Sequence, residues 1–230
     1  MSKFSLSIVP FQSKRPIAKR KRGFNPIAIT GLGAGALLSM TTPVMAHHAF
    51  GNRTPANFFE GFLSGLAHPL IGLDHFAFIV AVGLLAVGLP RAALIPAGFI
   101  LTALAGTGLH LLNLDLPGAE IAIATSVIAL GIMLISQKRQ NVKLIAALAA
   151  FAGLFHGYAY GEAIVGARMT PLFAYLLGFS IIQYLIALLA LFIGIFVTKK
   201  FAHQPISPLR LAGLVISAIG ISFLTASLIG

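Results

Sequence analysis

Residues 59–87 of this chain read FEGFLSGLAHPLIGLDHFAFIVAVGLLAV, a long apolar stretch that contains His68, Asp74 and His75. A bilayer core about 30 Å thick requires roughly 20 apolar residues in a helix, and this stretch exceeds that length. It therefore predicts a transmembrane helix. Because an ionisable side chain at the centre of such a helix costs about 2.5–3.5 kcal/mol, the two histidines and the aspartate are candidate functional residues.

A regular helix would keep His68 and His75 apart. The two residues share a helix face, but seven residues of helix rise about 10.5 Å along the axis. Pro69 lacks a backbone N–H and clashes with the preceding turn, and Gly72 weakens the helix further. The sequence thus predicts a kinked or unwound segment, which occurs in membranes where it lines a polar cavity. Either the break brings His68, Asp74 and His75 together, or they form two successive stations along one path.

The composition places the chain among membrane proteins. Of its 230 residues 58% are hydrophobic and 9% are charged, whereas charged residues make up about a quarter of a soluble domain. We predict an all-α membrane protein with six transmembrane helices after an N-terminal signal peptide. The six predicted spans are 59–87, 92–112, 119–136, 144–160, 171–197 and 209–229.

The first 46 residues have the organisation of a secretory signal peptide. A basic segment holds seven of the sixteen Lys and Arg residues and precedes an apolar run at about residues 24–40. Val44 and Ala46 then stand at the third and first positions before the mature chain, which is the pattern that signal peptidase recognises. We predict cleavage after Ala46, which leaves residues 47–230; an uncleaved signal-anchor helix is the alternative.

The basic residues predict the orientation in the membrane, because short cytoplasmic loops collect Lys and Arg. With the mature N-terminus on the non-cytoplasmic side, seven bases fall in inner loops and two in outer segments. We therefore expect a multi-pass protein of the inner (plasma) membrane. More than half of the net charge of +11 lies in the first 22 residues, so the charge does not indicate a nucleic-acid partner. Four of the five acids fall at outer ends of spans: Glu60, Asp115, Glu120 and Glu162.

Further candidate metal ligands lie near the outer ends of other spans. The chain has no cysteine, so the available ligands are imidazole nitrogen and carboxylate oxygen, a set that suits Ni²⁺, Co²⁺ or Zn²⁺. A proton relay and a hydrogen-bonded structural network are the alternatives for the cluster in the first span. The candidate metal ligands are His68, Asp74, His75, His110, His156 and Glu162.

Two motifs resemble those of the HupE/UreJ family of nickel and cobalt permeases. The family signature H-P-x-x-G-x-D-H is matched throughout by residues 68–75, HPLIGLDH. A second signature, F-H-G-x-A-H-G-x-E, is matched in part by residues 155–163, FHGYAYGEA. Tyr160 occupies the place of the second histidine there, and Glu162 directly follows Gly161 instead of standing one residue further on.

The resemblance implies that the mature chain is a six-helix permease domain and not an enzyme. It implies uptake of Ni²⁺ or Co²⁺ by a secondary, ATP-independent route through the lipid bilayer, with the ion as substrate and no tightly bound cofactor. His68, His156 and His110 would remove hydration water from the ion. Asp74 and His75 would then hold it near the midplane of the membrane.

Tyr160 is the departure from the family pattern that bears most on the ion. A phenol stays protonated at neutral pH and is a poor metal ligand. We therefore expect Tyr160 to donate a hydrogen bond to a ligand or water, and His110 to supply the missing nitrogen from the neighbouring span.

Two other functions are compatible with the same residues. An intramembrane hydrolase would hold zinc on His68, Asp74 and His75, but no His-Glu-x-x-His motif supplies a general base. A non-transporting assembly subunit of a membrane complex would use the histidines structurally. The choice between nickel and cobalt, the energy coupling and the formation of a homo-oligomer stay open.

Overall fold

The computed structural model describes residues 53–136 and 141–229, and within these two ranges the chain forms α-helices and no strand. The predicted signal peptide at 1–46 and its cleavage after Ala46 lie outside the described residues. The helices are α1 (Phe58–Ile71), α2 (Leu73–Leu85), α3 (Leu94–Leu111), α4 (Ala119–Ser136), α5 (Val142–Glu162), α6 (Met169–Lys200) and α7 (Pro208–Ile229).

Five of these helices, α3 to α7, are each long and apolar enough to cross a membrane. Helices α1 and α2 pass the same test only as a pair, bent by 79° at a break between them, and they make six spans if the pair counts as one. The observation confirms the predicted all-α class and the predicted number of spans. In hydrocarbon only helices and closed barrels satisfy every backbone polar group, so apolar stretches of this length form helices.

The break between α1 and α2 is a single residue, Gly72, whose backbone is extended (φ −73°, ψ 100°). The Gly72 N–H still donates to the His68 carbonyl at 3.1 Å, and the Gly72 carbonyl accepts from the Phe76 N–H at 2.8 Å. The helix therefore changes direction within one residue. Pro69 lies inside the last turn of α1, so the break that the sequence predicts near Pro69 and Gly72 occurs at the glycine.

The two halves of the broken span contact successive parts of α6. Gly61 and Gly65 of α1 lie against the backbone of Pro171 and Tyr175. Gly83 of α2 lies against the backbone of α6 further along, at residue 187. The absence of a side chain at these glycines allows the helix backbones to touch, as in small-xxx-small packing within membranes. The residue numbers on both sides of these contacts increase together, so α1 and then α2 pack against successive parts of α6 in chain order.

Helix α2 is the centre of the bundle. It contacts all six other helices of the described chain, and its side chains Phe78, Ala81 and Val82 are completely buried. Around it, α3 packs chiefly on α5, α4 on α7, and α1 on α6. Large apolar side chains on the outer faces, such as Phe173 and Phe192 of α6, are more than half exposed in the isolated chain, as expected where lipid surrounds the protein.

At its N-terminus α1 is capped by Asn57, and Glu60 holds the residue before the cap. The Asn57 side chain accepts a hydrogen bond from the Glu60 N–H at 2.9 Å, and a Glu60 carboxylate oxygen accepts from the Ala56 N–H at 2.9 Å. Such reciprocal bonds satisfy backbone donors that the helix itself leaves open. The Glu60 carboxylate is thus partly engaged in holding the entry of the broken span.

Candidate functional site

The break at Gly72 brings the two histidines of the first span together. His68 lies in the last turn of α1 and His75 in the first turn of α2, and both are buried. Their ring centroids are 6.0 Å apart, which is little more than half of the spacing that an unbroken helix would impose. The break therefore brings the two histidines close, while the joining of His68, Asp74 and His75 at one ion stays a prediction.

Gly72 also makes room for the His75 ring. A β-carbon on Gly72 would lie 2.6 Å from Cδ2 of His75 and 3.4 Å from Oδ1 of Asp74. The same Oδ1 accepts a hydrogen bond from the backbone N–H of His75 at 2.8 Å. Asp74 is half-buried, and its negative charge stands in the first turn of α2, where a carboxylate is stabilised by the helix dipole.

His156 of α5 contacts the broken span directly. It is completely buried, and its Nδ1 lies 2.8 Å from Nδ1 of His75. Its other ring nitrogen, Nε2, lies 3.1 Å from Oγ of Ser126 on α4. The ring of Phe78 covers His156 at a centroid distance of 4.2 Å. Both nitrogens of His156 therefore have protein partners here, and the prediction that His156 itself binds the ion stays a prediction.

Two tyrosines, Tyr175 and Tyr160, also contact the histidine pair. The Tyr175 hydroxyl, from α6, lies 3.2 Å from Nδ1 of His68 and donates a hydrogen bond to the Tyr160 carbonyl oxygen at 2.9 Å. The Tyr160 ring contacts both histidines, with its centroid 5.0 Å from that of His68 and 4.6 Å from that of His75. Ser126 and Tyr175 are site residues that the sequence analysis missed, because a hydroxyl on an apolar helix gives no signal of its own.

The Tyr160 hydroxyl is buried and has no hydrogen-bond partner among the described residues. A buried polar group left without a partner costs about 1–3 kcal/mol. Such a cost is tolerated where the group serves a function. The expectation that Tyr160 donates a hydrogen bond to a ligand or a water stays a prediction.

His110 belongs to a separate cluster near the C-terminal end of α5. Its ring packs on Tyr158 at a centroid distance of 4.5 Å, and Tyr158 donates a hydrogen bond of 3.4 Å to Asp115. Its Nδ1 is buried without a hydrogen-bond partner in the described chain. Gly161 packs against the His110 side chain, and the next residue, Glu162, is exposed.

An apolar cavity of about 410 Å³ lies between α4 and α5. Phe78 and Ser126 form part of its wall, and Pro117 and Gly118 line it at the start of α4. The Ser126 side chain therefore has His156 on one side and open space on the other.

Within residues 53–136 and 141–229, no three His, Asp or Glu side chains stand close enough to hold a metal ion by themselves. What the site presents is a pair of imidazoles at a helix break, with a half-buried carboxylate and an unpartnered phenol hydroxyl beside them. An ion bound between the imidazoles would keep part of its water. Such partial dehydration suits an ion that must also be released.

Comparison with known proteins identifies the family of the chain. Residues 35–223 match the model of the family described as HupE / UreJ protein, which is more than half of the chain. The chain belongs to the HupE/UreJ family. The protein HupE of Rhizobium leguminosarum bv. viciae is 32% identical to it over 127 residues, which is 54% of this chain and 64% of that relative. The match thus covers less than two thirds of the relative's length, and no solved structure matches the chain.

Membership confirms the resemblance read from the two motifs. HupE/UreJ proteins are generally nickel and cobalt uptake permeases. The apolar helices agree with a multi-pass membrane protein.

Proposed function

We propose that this HupE/UreJ chain is a secondary, ATP-independent permease that takes up Ni²⁺ or Co²⁺ across the inner (plasma) membrane. The observation that supports the proposal most directly is the pairing of His68 and His75, 6.0 Å apart between ring centroids, at a helix break beside Asp74. Broken helices inside membranes occur where they line an ion or substrate path.

The chemistry of the available groups supports a borderline divalent ion. Imidazole nitrogen with carboxylate oxygen suits Ni²⁺ and Co²⁺, while Mg²⁺ and Ca²⁺ prefer oxygen ligands alone. We propose His68, His75 and Asp74 as ligands that the ion meets in succession in transit, since the three do not form one site. His156 contributes by its contact with His75, and water completes the coordination.

The route to these ligands starts at the acidic end of the bundle. Exposed carboxylates attract cations and raise their local concentration. Glu120 in the first turn of α4 and Glu162 at the end of α5 are exposed, as is Asp115 in the loop before α4. His110 packs on Tyr158, which donates a hydrogen bond to Asp115 at this end, so we propose His110 as an intermediate contact for the ion. This end faces the non-cytoplasmic side if the mature N-terminus does, as the basic residues predict.

The test is uptake of radiolabelled Ni²⁺ and Co²⁺ into cells that express the wild-type chain. His75→Ala, shown to be present in the membrane, should abolish uptake. His203→Ala is the matched control, because His203 is exposed in the turn after α6, and it should transport like wild type. Absence of uptake of both ions by an inserted wild-type chain would refute the proposal.

A further inference from the structure

We propose that Ser126 and Tyr175 are positioning residues that select the tautomers of the buried histidines, so that both His68 and His75 carry their lone pair on Nε2. The consequence for ion binding rests on the proposed function. The tautomers themselves are a property of the protein without the ion.

The argument for His68 begins with the single proton of the Tyr175 hydroxyl. That proton goes to the Tyr160 carbonyl oxygen, 2.9 Å away, because a carbonyl oxygen can only accept. Toward Nδ1 of His68, at 3.2 Å, the Tyr175 oxygen must therefore act as the acceptor. Nδ1 of His68 carries the proton, and in a neutral imidazole the lone pair is then on Nε2.

The same reasoning applies to Ser126 and His156. Ser126 donates its one hydroxyl proton to the Ile123 carbonyl oxygen at 2.7 Å. Its oxygen therefore accepts from Nε2 of His156, 3.1 Å away. With the proton on Nε2, neutral His156 has its lone pair on Nδ1.

The tautomer of His156 determines that of His75. Their Nδ1 atoms are 2.8 Å apart, and a hydrogen bond between two ring nitrogens needs one proton and one lone pair. Because the lone pair belongs to His156, His75 donates from Nδ1. Its own lone pair is then on Nε2, as in His68.

Each series of bonds ends on a main-chain carbonyl oxygen of a helix, Ile123 in α4 and Tyr160 in α5. A carbonyl oxygen cannot reverse the direction of the bonds by donating. Histidines that bind metals are oriented by such partners on the other ring nitrogen, and losing the partner lowers metal affinity about 10–100-fold. The hydroxyls of Tyr175 and Ser126 thus select the tautomers in which Nε2 of His68 and of His75 carries the lone pair that binds a cation.

The direct test is nitrogen NMR of the full chain in lipid, without metal and with ¹⁵N-labelled histidine. Protonated and unprotonated ring nitrogens have distinct chemical shifts, and His68→Gln and His75→Gln variants assign the signals. We expect protonated Nδ1 in His68 and His75 and protonated Nε2 in His156. Protonated Nε2 with unprotonated Nδ1 in wild-type His68 or His75 would overturn the proposal without any variant.

Two substitutions should act on different histidines. Ser126→Ala removes the acceptor of His156, so the proton of His156 should move to Nδ1 and that of His75 to Nε2, while His68 stays unchanged. Tyr175→Phe should shift His68 and leave His75 unchanged. A variant that merely loosens the structure would not separate the two histidines in this way.

Binding of Co²⁺ to the purified chain is the second readout. Ser126→Ala and Tyr175→Phe should each weaken binding about 10–100-fold. Ser126→Thr keeps the hydroxyl, has the cavity beside it for the added methyl group, and should restore binding. The matched controls are Ser180→Ala and Tyr184→Phe on α6, whose hydroxyls donate to the Leu176 and Ala93 carbonyls, and both should bind like wild type.

The outcomes separate this proposal from the proposed function. Wild-type affinity and unchanged tautomers in both Ser126→Ala and Tyr175→Phe would overturn it. Expected tautomers in a chain that takes up neither Ni²⁺ nor Co²⁺ would support the assignment of Ser126 and Tyr175 and refute only the permease function.

Discussion

Gly72 and His75 are so close that a β-carbon on the glycine would lie 2.6 Å from Cδ2 of the imidazole ring. Real β-carbons essentially never approach a neighbouring atom to that distance, so a side chain at 72 must displace the ring. Gly72→Ala should destabilise the protein by about 1–3 kcal/mol and move His75 away from His156. We expect ion uptake to fall sharply, measured together with thermal unfolding of the purified chain.

Gly98→Ala is the control for that substitution. Gly98 lies in α3, and among the described residues no atom of another part of the structure lies within 4 Å of the β-carbon that alanine would add. Alanine has the higher helix propensity, so Gly98→Ala should leave stability equal or raise it by about 1 kcal/mol. Wild-type uptake by Gly72→Ala would show that the position of the His75 ring is unimportant for transport.

Removing the Tyr160 hydroxyl should separate stability from ion binding. Tyr160→Phe deletes a buried group that has no hydrogen-bond partner in the described chain, so the unfolding temperature should stay the same or rise. If the hydroxyl serves a ligand or its water, Co²⁺ affinity should fall in the same variant. Unchanged affinity would assign Tyr160 a packing role alone.

Tyr160→His restores the residue that the family motif has at this position. The new imidazole would stand beside the rings of His68 and His75, which are 5.0 Å and 4.6 Å from the Tyr160 ring. We expect tighter binding of Co²⁺ and slower release, because a further nitrogen ligand stabilises the bound ion. Equilibrium binding and initial uptake rates measured on the same preparation would show both effects.

The charge of Asp74 should matter more than its hydrogen bond. In Asp74→Asn the amide oxygen can still accept from the His75 N–H, which Asp74 now holds at 2.8 Å, so we expect a change in stability below about 1 kcal/mol. Uptake should be lost, because the ion loses its anionic ligand. Normal uptake, with normal protein level, would favour a structural role for the cluster, as in an assembly subunit.

Asp115→Asn is the matched control for Asp74→Asn. Asp115 is exposed and accepts a hydrogen bond of 3.4 Å from Tyr158 at the acidic end of the bundle. Its substitution should raise the ion concentration needed for half-maximal uptake without abolishing uptake. The effect should fade as salt increases, because exposed charges are screened.

His110→Ala tests whether the ion meets this ring on its way to the histidine pair. His110 packs on Tyr158, and its buried Nδ1 has no partner among the described residues. We expect partial loss of uptake at low ion concentration and recovery at high concentration. Transport like wild type at all concentrations would show that His110 is not a ligand, and His203→Ala reports any nonspecific effect of removing a histidine.

Hydropathy predicted most of the fold because membrane helices are determined locally. The predicted span 171–197 corresponds to α6 (Met169–Lys200), and 144–160 to α5 (Val142–Glu162). The break in the first span was predictable from the proline and glycine alone, since both weaken a helix wherever they stand. The size of the bend, 79°, depends on how α1 and α2 pack on α6, and no local rule gives it.

The partners of the histidines could not be predicted in the same way. Tyr175 is 107 residues from His68, and Ser126 is 30 residues from His156. Which hydroxyl meets which imidazole depends on the pairing of helices, which hydropathy does not encode. His68, Asp74 and His75 could be identified because an ionisable group in an apolar helix is conspicuous, whereas a serine or tyrosine is not.

The central place of α2 has a consequence for the gap between the imidazoles of His68 and His75. His75 belongs to α2, which contacts the six other helices of the described chain. It contacts His156 of α5, which in turn contacts Ser126 of α4. His68 belongs to α1, which packs chiefly on α6 and shares a tyrosine contact with it. Because the two imidazoles stand on separate helices that meet at Gly72, the gap between them depends on the angle between α1 and α2.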